Sequence, residues 1–141
     1  IEMDVTILLV EDSPADAAIL SAALEDVGCP WPIHIVQTGE EALALLGKID
    51  NSAHPQLILL DLNLPGKTGH EVLREIKGNI VWQAIPTIVL SSSATPNDIY
   101  KSYQLHANAY ITKPTNFNEY QLIARKISDS WLKTAQLPTS M

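Results

Sequence analysis

Apolar residues along this chain fall into short blocks, separated by longer stretches in which they recur every three or four positions. The blocks cover residues 5–10, 33–36, 57–60, 87–90 and 109–111, lengths suited to strands, and the stretches between them carry the spacing of helices. The two richest blocks, Ile7-Leu8-Leu9-Val10 and Leu57-Ile58-Leu59-Leu60, are continuous rather than alternating. Such runs belong to strands covered on both faces, so the pattern predicts a parallel sheet between two layers of helices.

The helix starts agree. Each of the five segments that follow the blocks opens with an oxygen-bearing side chain and has an acid three positions later: Ser13 and Asp16, Thr38 and Glu41, Thr68 and Glu71, Thr95 and Asp98, Asn116 and Glu119. That spacing lets the first side chain accept a backbone N–H of the first turn while the acid reaches back. Pro14 and Pro96 fall at the first helical position, where a missing N–H costs nothing, and Gly28 and Gly78 stand where the first and third helices should end. Strand then helix, five times over, with short right-handed connections, predicts an α/β fold of the flavodoxin-like (βα)5 type. This is an open, doubly wound sheet of five parallel strands in the order 2-1-3-4-5. A single domain is expected over residues 1–141, with its core at about 5–134, a loop at 50–55 and a tail from about 135 that frays at 138–141.

Composition narrows the function classes. A chain of 141 residues, 46% hydrophobic and 18% charged, can bury one core and lies far from disordered compositions. Nine Lys and Arg against 16 Asp and Glu leave a net charge of -7 with no basic stripe, which argues against nucleic acid as a partner. No apolar run approaches the roughly 18 residues of a membrane span, and Ile1 to Asp4 lack the basic start of a signal peptide. The lone Cys29 has no partner for an internal disulfide, so a cytoplasmic location is expected. His34, His54, His70 and His106 show none of the close pairing of a zinc site, and Trp31 and Trp82 read as packing residues.

In a sheet of this order, ligands bind beyond the carboxyl ends of the strands, where the order reverses. The first strand ends in Glu11-Asp12, the third in Asp61 and the fourth in Ser91, and Lys113 follows the fifth. Three converging carboxylates raise one another's pKa unless a cation compensates, and a hard divalent ion such as Mg²⁺ suits an all-oxygen set. Asp12 and Asp61 would be direct ligands, Glu11 would act through water, and the Asn63 carbonyl would add a further oxygen. An aspartate can take a phosphoryl group as an acyl phosphate, with Mg²⁺, the Lys113 ammonium and the Ser91 hydroxyl neutralising its oxygens. Taken singly, Asp12 reads equally well as a helix cap and Lys113 as a solvated cation; their conjunction at separate strand ends favours the phosphoryl cradle.

On these residues the chain resembles the response-regulator receiver family over essentially its full length. The motifs are Val10-Glu11-Asp12-Ser13, Leu59-Leu60-Asp61-Leu62-Asn63-Leu64-Pro65-Gly66 with Gly69 following, Val89-Leu90-Ser91-Ser92 and Tyr110-Ile111-Thr112-Lys113-Pro114. The resemblance implies that Asp61 accepts a phosphoryl group from a phosphohistidine kinase and that Glu11 and Asp12 are the acid pair for Mg²⁺ or Mn²⁺. It also makes Ser91 the switch hydroxyl, Tyr110 the switch aromatic and Lys113 the phosphoryl-contacting lysine. Asn63 and Ser93, each two positions after a site residue, would tune phosphate lifetime. A cis Lys113–Pro114 bond is likewise implied, while Thr115 and Ser92 depart from the aromatic and the alanine common at those positions.

Within the family, Glu-Asp-Ser-Pro-Ala-Asp at 11–16, Tyr-Ile-Thr-Lys-Pro at 110–114 and Trp131-Leu132 resemble the single-domain regulators that partner phytochrome histidine kinases. That likeness implies a homodimer through the fourth helix, fifth strand and fifth helix, roughly residues 97–134. Ile123 and Ile127 are expected in the core, and Tyr120 and Trp131 are candidates for an apolar dimer face. The fifth helix consumes the chain to about Thr134, so output is expected through a partner, a dimer or a further relay protein, and no enzymatic turnover is expected. Two phosphate-handling alternatives fit the residues less well. A dehalogenase-like aspartyl phosphatase needs an acid where Asn63 stands, and a flavin binder needs a glycine- and hydroxyl-rich loop where Glu11-Asp12-Ser13-Pro14 stands. A third alternative is a receiver-fold module that binds partners without being phosphorylated.

Overall fold

In the computed structural model, residues 7–29, 31–48 and 54–138 are described. Residues 5 and 6 of the first expected strand, most of the 50–55 loop and the end of the tail lie outside them. The order is β1 (Ile7–Val10), α1 (Pro14–Asp26), β2 (Ile33–Val36), α2 (Gly39–Lys48), β3 (Leu57–Leu60), α3 (Gly69–Gly78), β4 (Thr87–Ser91), α4 (Pro96–Gln104), β5 (Ala109–Thr112) and α5 (Phe117–Ile127). A short 3-10 turn, Trp82–Ala84, precedes β4, and α5 runs on as a π-helical segment, Ser128–Thr134. All pairings are parallel, in the order β2-β1-β3-β4-β5.

The continuous apolar strands divide their side chains between two cores. Leu8, Val10, Ile58, Leu60 and Val89 face α2 and α3, packing on Ala42, Leu46, Val72, Leu73 and Ile76. Ile7, Leu9, Leu57, Leu59, Ile88 and Leu90 face the opposite way, toward Leu20 and Leu24 of α1 and Ala124 and Ile127 of α5. Burial on this scale is the main stabilising term of the domain. β2, at the edge as the expected order has it, leaves Ile35 41% exposed, because the sheet covers it from one side only.

The helix starts form as the spacing predicts. Ser13, Thr38, Thr68, Thr95 and Asn116 each accept the N–H of the acid three positions on. Glu41 and Glu71 close the reciprocal bond to the N–H groups of Thr38 and Thr68. Asp16 and Asp98 go elsewhere, as described below.

Two helices end in the same backbone device. After α1, Gly28 (φ +84°) and Cys29 donate to the carbonyls of Glu25 and Leu24; after α4, His106 (φ 74°) and Ala107 donate to those of Tyr103 and Ser102. These paired bonds satisfy the last carbonyls of each helix. Gly28 suits the left-handed turn, and His106 adopts it without glycine's freedom. Gly78 is simply the last residue of α3.

At the amino ends of the strands, the Lys77 ammonium donates to the carbonyls of Gln83 and Ile85 and to Asn108 Oδ1. Asn108 also bonds through its side chain and N–H to Thr87. This end of the sheet is tied together by side chains as well as by the ladder.

The expected cis bond is corrected: no described peptide bond is cis, so Lys113–Pro114 is trans, the isomer that an X–Pro amide favours by about 0.5–1 kcal/mol. Tyr120 is corrected as well. It is 6% exposed and packs with Ala124 and Ile127 in the core, and Trp131 rests half-buried on the same cluster, because α5 turns that stripe toward the sheet. Ile127 is in the core as expected, whereas Ile123 is half-buried and packs against it.

Candidate functional site

Backbone ladder bonds continue one residue past the strands and set the site's spacing. The Glu11 N–H donates to the Val36 carbonyl and the Asp61 N–H to the Val10 carbonyl, both at 3.0 Å, while the Lys113 N–H donates to the Ser91 carbonyl at 2.7 Å. Residues from three crossovers are thereby brought together at the carboxyl edge. Gly69 makes this possible, since its N–H bonds to the Leu62 carbonyl and α3 starts directly against the Asp61-Leu62 backbone.

The carboxylates converge as expected. Oxygens of Glu11, Asp12 and Asp61 lie within 4.8 Å of one another. Glu11 and Asp61 are each 4% exposed, whereas Asp12 faces solvent. Asp12 is not the cap of α1, because Ser13 fills that role and the Ser13 N–H is held by Glu11 Oε2 at 3.1 Å.

The Lys113 ammonium sits among the acids, 2.8 Å from Glu11 Oε1, 3.0 Å from Asp16 Oδ2 and 3.3 Å from Asp61 Oδ2. Burial pushes the Glu11 carboxyl up to about 7, with the Asp61 charge adding to the rise and the Lys113 hydrogen bond opposing it. For Lys113, burial alone would lower the pKa. The hydrogen bonds to Glu11 and Asp16 and the charge of Asp61 outweigh it and drive the ammonium above the usual lysine range. The ammonium offsets part of the mutual repulsion of these acids.

Asp61 has both oxygens engaged, Oδ2 by Lys113 and Oδ1 by the Asn63 N–H at 3.3 Å. The Asn63 side chain itself is exposed beside the mouth of the site. Ser91 is fully buried and its hydroxyl accepts the Ser93 N–H at 3.2 Å, so it is turned into the loop after β4. Tyr110 is half-buried, and its hydroxyl donates to the Ser93 carbonyl at 2.8 Å. Ser93 Oγ donates to Asp98 Oδ2 at 2.6 Å, which places its side chain on α4. The loop thus links Ser91, Tyr110 and the first turn of α4.

Sequence reasoning missed two partners. Asp16 was legible only as a capping acid; its signal as a Lys113 ligand is that it lies one helical turn beyond the acid pair. Ser102 of α4 is wholly buried, donates to the Asp98 carbonyl and meets His70 Nε2 of α3 at 3.0 Å. Burial pushes the His70 ring below the usual histidine pKa, with Lys101 adding to the effect.

A parallel sheet of this order with such a site defines a class of signalling domain, and the chain belongs to the response regulator receiver domain family, whose model matches residues 7–125. It is 42% identical over 137 residues to response regulator Rcp1 of Synechocystis sp., covering 95% of this chain and 93% of that one. Its fold is similar to the crystal structure of the phosphorylated cyanobacterial phytochrome response regulator RcpA, with a TM-score of 0.89, 44% identity and coverage of 97% of this chain and 100% of that one. The Mn²⁺-bound form of Rcp1 superposes with a TM-score of 0.87 at 42% identity, covering 95% and 99%. The chain is a receiver domain homologous to phytochrome response regulators and is a two-component signalling protein. Among the described residues no helix is long and apolar enough to cross a membrane.

Proposed function

We propose that Asp61 accepts a phosphoryl group from a phosphohistidine kinase of the phytochrome type. The observation that carries this is the placement of the Lys113 ammonium between Glu11 and Asp61, beside Asp12, at the carboxyl edge of the sheet. The relatives support it, since one is described as phosphorylated and another as Mn²⁺-bound.

An Asp61 oxygen attacks the phosphorus, the P–N bond of the phosphohistidine breaks, and its electron pair returns to the imidazole. Glu11, Asp12 and Asp61, with the Asn63 carbonyl, would hold Mg²⁺ or Mn²⁺, which when bound supplies charge neutralisation to the phosphoryl oxygens. Lys113 gives a charged N–H to a second oxygen. Ser91 leaves the Ser93 N–H to donate to a third, and the space it vacates admits Tyr110, which releases the Ser93 carbonyl. Asn63 and Ser93 set how long the acyl phosphate lasts. Asn63 cannot supply the acid of a phosphatase, so the chain acts as a phosphorylated signal and not as a turnover enzyme.

Intact-mass analysis after incubation with acetyl phosphate and Mg²⁺ tests this. Wild type is expected to gain one phosphoryl group, which EDTA abolishes and Asp61→Asn does not gain. A folded wild type with no adduct would leave the phosphorylation-independent module as the better reading.

The output surface is α4, β5 and α5, and a homodimer through it fits the apolar side chains exposed there. Tyr100 and Tyr103 on α4 are 65% and 48% exposed, and Phe117 and Leu122 on α5 are 45% and 50% exposed. Sedimentation is expected to give a concentration-dependent dimer, which Leu122→Glu weakens; a monomer at every concentration, with and without a phosphate mimic, would refute it. A cytoplasmic location accords with a kinase donor of this kind.

A further inference from the structure

The acids at the third helical position have different fates in the five helices. Those of α2 and α3 return to their own cap, and that of α5 reaches back to the Thr115 N–H. In α1 the cap N–H of Ser13 is already taken by Glu11, which frees the Asp16 carboxylate to reach across to Lys113 at 3.0 Å. Asp16 lies outside the Glu11, Asp12 and Asp61 set whose oxygens converge for a cation. It lines a groove with Lys113, Ser92 and Tyr120.

An ammonium has three protons, and here each has an anionic acceptor: Glu11, Asp16 and Asp61. Glu11, Asp12 and Asp61 would hold a cation, which would supply charge neutralisation there, and Asp16, outside that set, would keep its bond to Lys113. A phosphoryl group on Asp61 would need an N–H of the ammonium that Asp16 already holds, so the two compete for Lys113. Its charge, 3.0 Å from the ammonium, also opposes a dianion that approaches Lys113.

We propose that Asp16 is a positioning residue that restrains phosphorylation by competing with the phosphoryl group for the Lys113 ammonium. This inference rests on Asp61 being the phosphoryl acceptor. Removing the charge is expected to speed phosphorylation and slow hydrolysis of the acyl phosphate by about threefold to fivefold, the scale of a partly exposed ion pair. The side chain is 37% exposed, so its loss leaves no buried cavity.

The test compares wild type, Asp16→Asn and Asp16→Ala. Phosphorylation rates are measured with acetyl phosphate and with phosphoramidate at saturating Mg²⁺, together with the ¹⁵Nζ signal of Lys113 in the metal-free protein. Both variants are expected to react faster with acetyl phosphate. The gain should be larger than with the less charged phosphoramidate, a split that a merely structural role would not produce. The Lys113 signal is expected to shift in both. Slower or unchanged rates, equal gains with the two donors, or an unmoved Lys113 signal would each overturn the proposal. A wild type that takes no phosphoryl group overturns its kinetic half together with the receiver reading, whereas a wild type that phosphorylates while the variants match it overturns this proposal alone.

Discussion

Gly69→Ala is expected to destabilise the domain by about 3 kcal/mol or more and to abolish phosphoryl uptake in whatever fraction still folds. A Cβ at this position would overlap the Asp61 carbonyl oxygen and the Leu62 Cα, both of them backbone. A flexible side chain can swing away from such a clash, but the end of a buried central strand cannot. Relief requires α3 to lift from the sheet or the Asp61 segment to retreat, and the second displaces the acceptor from Lys113 and Glu11. Gly47→Ala, where an added Cβ meets nothing within 4 Å in the last turn of α2, is the control and is expected to hold stability or raise it by up to about 1 kcal/mol. Urea melts of both variants check the pair, and a Gly69→Ala protein as stable as wild type would refute the close-approach argument.

Lys113→Ala is expected to lower phosphoryl uptake at least about a hundredfold, the usual effect of losing a donor aimed at developing charge. It should also cost about 2–4 kcal/mol of stability at pH 8 in EDTA, because two acids that are each 4% exposed lose their cation. The pH dependence has a definite sign. The folded Glu11 carboxyl lies above its ordinary 4.5, at about 7, so its contribution is fully present below pH 4.5 and is lost as pH rises through the folded value. Without Lys113 that value rises further, since the ammonium is the hydrogen-bonding group that opposes it. The variant's deficit is therefore expected to shrink from pH 8 to pH 6, as Glu11 takes a proton in place of the ammonium, and Mg²⁺ is expected to restore part of the loss at pH 8. Urea melts at the two pH values check this, and a deficit that does not shrink on acidification would refute it.

The fold was legible because local signals and sheet topology agree. Continuous runs such as 57–60 required cover on both faces, and each helix announced its start by a cap and an acid. Glu11, Asp12, Asp61 and Lys113 were legible because strand ends are where this topology places chemistry. Less legible were features that depend on the direction of a side chain. Asp16 and Asp98 share one sequence signature with Glu41 and Glu71, yet leave their caps, Asp16 because Glu11 takes the Ser13 N–H and Lys113 donates to it, and Asp98 because Ser93 donates to it. Tyr120 carries helical spacing, which marks a stripe without saying which part of it turns inward. The exposure of Ile35 depends on β2 being the outermost strand, a property of strand order and not of the residues at 33–36.

The two ends of α4 are fastened by different kinds of bond. At its front, the Thr95 cap and the Ser93 contact to Asp98 are side-chain hydrogen bonds. At its rear, the backbone bonds around His106 lock the turn into β5, close to the Lys77 and Asn108 ties. The helix is therefore mounted as a lever whose fulcrum lies near 105–107. A rotation of Ser93 frees the Pro96 end while the Gln104 end stays seated, so displacement grows along the helix toward the phosphoryl site. In the proposed switch that arm would carry Tyr100 farther than Tyr103, which stands beside the fulcrum, and a small hydroxyl movement at Ser91 would reach a partner as an angular change in the surface they form.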